Sequence, residues 1–145
     1  MRTWRKFALS AALVTLVAAL VAVPAYSAAN TLVQGRGSTT QFLCPSGLTT
    51  FATIDFSAFK NKGNVSGFFQ IFGGANKSGS ISGGTMNQNQ YSLTAIVSPF
   101  AECLGSPTTL PATATISGAC GVGVIIHYRD SHGEVGDFIG NVACS

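Results

Sequence analysis

From Thr31 onward, apolar and polar residues alternate with a period of two, in short runs broken by Gly, Asn, Ser and Pro. Side chains of a strand point alternately to opposite faces, whereas an amphipathic helix repeats about every 3.6 residues, so this period predicts strands. In TTFATIDFSAF, Ala52, Ile54, Phe56 and Ala58 share one face and Thr53, Asp55 and Ser57 the other; the first set is expected to face a core. KNKGN reads as a turn, and VSGFFQIF follows with Val65, Gly67, Phe69 and Ile71 opposed to Ser66, Phe68, Gln70 and Phe72. Phe on both faces predicts a central strand covered on both sides. GGANKSG reads as a second turn, SISGGTM as a glycine-interrupted strand with a bulge, and NQN as a third turn before YSLTAIVS. Together these pieces suggest a meander of adjacent antiparallel strands.

The segment PFAECLGSPTTLP has no period and carries three prolines, so it is expected to leave the sheet, fastened by Cys103. ATATISG resumes the alternation with Ala112, Ala114 and Ile116 inward, and VGVIIHYR with DFIGNVAC forms a final hairpin around DSHGEVG. With the opening stretch from Thr31 to Cys44, the expected fold is all-β: an antiparallel sandwich or small barrel of about eight short strands.

The N-terminus changes the picture of where this domain works. Arg2, Arg5 and Lys6 precede the apolar run FALSAALVTLVAALVAV, then Pro24 and the small residues Ala25 and Ser27, the order of a secretory signal peptide. The expected division is a signal over residues 1–27, cut after Ser27, and one secreted β domain over residues 28–145. An uncleaved anchor is the rival reading, because the apolar run approaches the roughly 20 residues that span a bilayer. Three of the eight Lys and Arg belong to this signal, which leaves five cations against five acids in the domain. With no basic stripe, neither nucleic acid nor an anionic membrane surface is an expected partner.

All four cysteines, Cys44, Cys103, Cys120 and Cys144, lie in the exported part and none forms a CxxC pair, so two structural disulfides are expected rather than zinc or a redox centre. Three pairings are possible in principle. Cys120 precedes one strand of the final hairpin and Cys144 ends the other, which sets them opposite each other and leaves Cys44 to Cys103. Nine of the ten Phe follow residue 27, and each buried one is worth roughly 1.5–3 kcal/mol.

VSGFFQIF, a glycine-rich strand, TISGAC and then HYRDSHGEVGDF occur in an order that resembles the small secreted β domains of the post-COAP type in microbial extracellular proteins. Asp130, Gly133, Glu134 and Gly136 match the Asp, Gly, Glu, Gly turn near their C-termini, while Ser131 and His132 depart from it. The resemblance implies a β-sandwich-like extracellular module with no catalytic role.

The densest ionisable cluster is HYRDSHGEVGD, with both histidines and three of the five acids. Calcium would draw on Asp130, Glu134, Asp137 and carbonyls near Gly133, although the EF-hand order is absent. A transition metal would instead use His127 and His132 with one carboxylate. The plainer reading is a solvated hairpin in which Arg129 pairs with an acid. A calcium- or metal-binding domain built on this loop is therefore the second reading of the function, and no cofactor other than calcium is expected.

No catalytic residue is assigned, since GSISG places Ile81 where a nucleophile elbow needs Ser. A Ser, His, Asp set assembled from distant residues keeps a small hydrolase as the third reading. The only Trp, Trp4, leaves with the signal, so Tyr91 and Tyr128 remain for stacking on a sugar, against the commoner reading of a strand Tyr as core or rim. Asn64 in NVS and Asn76 in NKS are N-glycosylation sequons in expected turns. The function expected first is a secreted or surface-associated binding or structural module, with an extracellular protein or glycan as partner.

Overall fold

The alternating runs become strands whose apolar rows all point into one enclosed interior. The computed structural model describes residues 31–108 and 111–145; the expected signal, residues 1–27, lies outside them. Ten strands follow in order: β1 (Thr31–Leu43), β2 (Thr49–Asn61), β3 (Asn64–Gly73), β4 (Ala75–Met86), β5 (Gln90–Val97), β6 (Ala101–Cys103), β7 (Ser106–Thr108), β8 (Ala112–Ala119), β9 (Gly121–Asp130) and β10 (Val135–Cys144). Among the described residues there is no helix.

β1, β2, β3, β4, β5, β8, β9 and β10 pair antiparallel in that order, and β10 returns to β1 while β3 pairs with β4. The sheet therefore closes as an eight-stranded barrel in which chain neighbours are sheet neighbours. The expected meander is present, and the bulge expected in β4 falls between Ile81 and Gly83. β6 and β7 form a small hairpin outside the ring, paired to the start of β4 through Ala75↔Cys103 and Asn76↔Glu102. The proline-bearing segment thus leaves the ring as expected, but as a strand pair joined to β4 rather than as an irregular excursion outside the sheet.

Two expectations are corrected. β3 is not covered on both sides: Phe69 is 1% exposed but Phe68 is 65% exposed, because a single sheet closed on itself gives each strand only one inner face. GGANKSG is not a turn as a whole. The chain reverses at Gly73, whose φ of 123° suits glycine alone, and Ala75 to Gly79 already run in β4, which carries Lys77 to the inner face.

An eight-stranded barrel is just wide enough for side chains to fill it. Phe42 packs against Tyr128 at 5.9 Å and Phe138 at 6.0 Å between ring centroids, and Tyr128 also meets Phe69 at 5.9 Å. Such tilted pairs add about 0.5–1.5 kcal/mol each beyond area burial. Nearer the other end, Phe56 meets Tyr91 at 5.2 Å. The Phe56 ring lies directly over Gly35, where any Cβ would collide with it, so the glycine makes room for the aromatic. Ile54, Ile71, Leu93, Ile116 and Ile126 fill the remaining interior, and each is at most 1% exposed.

The barrel has two poles. β1 begins and β10 ends at the first, and the β2–β3, β4–β5 and β8–β9 connections turn there; the second carries the β1–β2, β3–β4 and β9–β10 turns and the β6–β7 hairpin. Each pole has a disulfide. Cys120–Cys144 joins the β8–β9 turn to the end of β10, and Cys44–Cys103 ties the β1–β2 turn to the β6–β7 hairpin, with Cα separations of 5.9 and 5.7 Å. Cys120–Cys144 is the pairing expected from the hairpin register, and Cys44–Cys103 the one expected by elimination.

Candidate functional site

The β9–β10 hairpin distributes its ionisable residues over three places rather than one. On the outer wall, His127 and Asp137 are register partners, and His127 Nδ1 lies 2.8 Å from Asp137 Oδ1. Arg129 reaches the same oxygen at 3.0 Å. Burial pushes the Asp137 carboxyl upward, but the hydrogen bonds and charges of His127 and Arg129 outweigh it and hold the group below the usual Asp value. Ser117 faces His127 across the β8–β9 pair, so Asp137, His127 and Ser117 form one cross-strand row on the open wall.

Within the turn, Asp130 Oδ1 accepts the backbone amides of His132 and Glu134, each at 3.0 Å, while Oδ2 accepts the Tyr128 hydroxyl at 2.9 Å. Ser131 clamps the turn to β8: its amide donates to Thr113 O at 2.9 Å and its hydroxyl accepts from Thr113 N at 3.1 Å.

Glu134 points into the barrel. Its side chain and that of Lys77 are fully shielded from solvent, and Lys77 Nζ lies 2.5 Å from both carboxylate oxygens. Burial raises the Glu134 carboxyl above its ordinary range, opposed by Lys77 and by the charge of His132 and reinforced by Asp130. His132 Nδ1 is buried at this site without a hydrogen-bond partner. The convergence of Asp130, Glu134 and Asp137 expected for calcium is therefore replaced by a division. Asp130 is spent on the turn, Glu134 on an interior lysine and Asp137 on the outer wall. Among the described residues, no group of three or more His, Cys, Asp and Glu is placed to hold a metal ion.

A depression of about 190 Å³ opens at the second pole, between the starts of β4 and the β5–β6 connection. Gln70, Asn76, Ser78 and Ser98 line it with amides and hydroxyls, and Phe100 and Pro99 form its apolar edge. Phe100 is 88% exposed and has a φ of 74°, a left-handed conformation that costs a bulky residue about 1–2 kcal/mol. Asn76 is also held by Glu102 of the hairpin, its Nδ2 donating to Oε1 at 3.0 Å. The Cys44–Cys103 bridge fixes that hairpin against the barrel, so the depression has a covalently anchored rim.

Of the sequons, Asn64 is exposed at the β2–β3 turn as expected, whereas Asn76 lies within β4 on the lining of the depression. Sequence reasoning missed Lys77, Phe100 and the depression. Counting back in twos from the inward Ile81 and Gly79 would have found Lys77; Phe100 has no such signal, because its segment has no period. No protein-family model, curated protein or solved structure matches the chain.

Proposed function

We propose that the chain is a secreted binding module that seats one ring of an extracellular glycan in the depression beside Phe100. The observation that carries this reading is Phe100 itself, a large aromatic side chain held almost fully exposed on strained backbone at the edge of a polar-lined hollow. Strain of this kind persists where the surroundings enforce it, and it concentrates at binding sites. The flat ring offers an apolar face, and the amides and hydroxyls of Gln70, Asn76, Ser78 and Ser98 offer the donors and acceptors that fix orientation. A hollow of about 190 Å³ is smaller than the roughly 300–1,000 Å³ of a typical small-molecule pocket, which favours one unit of a chain over a cofactor.

Export is supported by the order of charged, apolar and small residues at the N-terminus and by two disulfides, which are consistent with an oxidising compartment. Most exposed strand positions of the outer wall carry Ser, Thr, Gln or Asn, interrupted by Phe59, Phe68, Ile96, Ile125 and Ile139, while the interior is apolar, unlike the polar interior of a lipid-facing barrel. A glycan array followed by titration of hits into wild type and Phe100→Ser tests the reading. Selective binding that Phe100→Ser loses supports it. Binding that survives the substitution, or none on a broad array, overturns it.

A further inference from the structure

Lys77 and Glu134 are both fully buried, and the ammonium nitrogen lies 2.5 Å from each carboxylate oxygen. Taking two ions out of water carries a large desolvation cost, and attraction offsets it only when further hydrogen bonds satisfy the remaining atoms. Glu134 Oε2 lies against the ammonium without a hydrogen bond of its own. Contact with both oxygens at once also brings the nitrogen up against Cδ, closer than the roughly 3–3.5 Å at which reacting atoms sit in a near-attack arrangement. The Asp130 carboxylate, by accepting the Glu134 amide, holds the turn that aims Glu134 inward, and Lys77 is fixed on β4 by its register pairing with Ile71 of β3. The two groups are thus held together from elements 57 residues apart in the chain.

We infer that Lys77 and Glu134 condense to a side-chain amide, a covalent cross-link between β4 and the β9–β10 turn. The ammonium first passes a proton to the carboxylate, giving an amine and a carboxylic acid. The amine lone pair then attacks Cδ, the new N–C bond forms and one C–O bond breaks. The hydroxyl leaves as water with a proton from the nitrogen, carried by His132, whose Nδ1 is buried there unpartnered and whose charge bears on Glu134. No oxidant or further reactant is needed. The product replaces two desolvated charges with one neutral amide, and exclusion of water protects that amide from hydrolysis.

The test is peptide mapping by mass spectrometry of the secreted protein after full reduction and alkylation. The expected result is a joined pair of peptides, one with Lys77 and one with Glu134, lighter than their sum by one water. Recovery of both as separate, full-mass peptides overturns the cross-link. Lys77→Met is expected to abolish the water loss, and a loss that persists in that variant places it elsewhere and overturns the assignment. In His132→Ala the joined pair accumulates more slowly after synthesis; a wild-type time course overturns the relay. The wild-type map decides the main point even if a variant fails to fold.

Discussion

The Tyr128 hydroxyl, at the centre of the barrel's aromatic cluster, donates to Asp130 at 2.9 Å, and the same carboxylate accepts two backbone amides of the β9–β10 turn. One side chain thereby couples the core to the turn. Asp130→Ala removes all three bonds and leaves a buried hydroxyl unpaired, for an expected loss of about 2–3 kcal/mol. Tyr128→Phe removes one bond together with its donor and is expected to lose only about 1 kcal/mol. Urea denaturation of the two variants beside wild type checks the order.

Asp137 gives the protein an acid-sensitive contact. Its folded-state pKa lies below the usual Asp value, because His127 and Arg129 outweigh the effect of burial. For a depressed carboxyl, the stabilisation is complete above the unfolded pKa of about 3.9 and is lost as pH falls through the lower folded value. The stability difference between wild type and Asp137→Asn is therefore expected to shrink as pH falls below about 4. Thermal melts across the acid range measure it. The contact is half exposed, so its contribution is small.

Phe100→Gly separates stability from binding. Glycine adopts a φ of 74° without the Cβ penalty, and the ring that is lost was exposed, so a gain of about 1 kcal/mol is expected. Ligand binding at the second pole is expected to fall by at least tenfold, about 1.4 kcal/mol. A melt and a titration on one preparation test both halves.

The two disulfides are expected to fail differently. By loop-closure entropy, Cys44–Cys103, spanning 59 residues, is worth about 4 kcal/mol, and Cys120–Cys144, spanning 24, about 3. Replacing Cys44 and Cys103 by Ala frees the β6–β7 hairpin and is expected to abolish binding even where the barrel stays folded. The Cys120/Cys144 double variant is expected to lower stability and leave affinity intact. Circular dichroism with titration distinguishes them.

The barrel was legible where a strand has one wet and one dry face. Ala52, Ile54, Phe56 and Ala58 are buried as the alternation requires, as are Ala112, Ala114 and Ile116. Sequence alone leaves sandwich and barrel open, because the local alternation is the same in both and only the β1–β10 pairing closes the ring. The charged hairpin was legible as a cluster but not as a geometry. His127 and Asp137 are neighbours by register, whereas Glu134 turns inward to a lysine on a strand far away in the chain. That partnership is a tertiary fact, hidden because ANKSG has the composition of a turn. Phe100 was hidden for the opposite reason, since nothing periodic surrounds it.

The pairing that closes the barrel also decides how it is moored. Leu32 and Ser145 exchange backbone hydrogen bonds at 3.0 and 2.9 Å, so the start of β1 and the end of β10 lie side by side at the first pole. Anything joined at either position, whether a tether, a neighbouring domain or a purification tag, leaves from the pole opposite Phe100. The hollow is held outward like a lamp on a post, and fusions at either terminus are expected to leave it unobstructed. The same adjacency makes the protein a natural candidate for circular permutation: a short linker across Leu32 and Ser145 would preserve every strand pair, with new termini opened at the exposed β2–β3 turn.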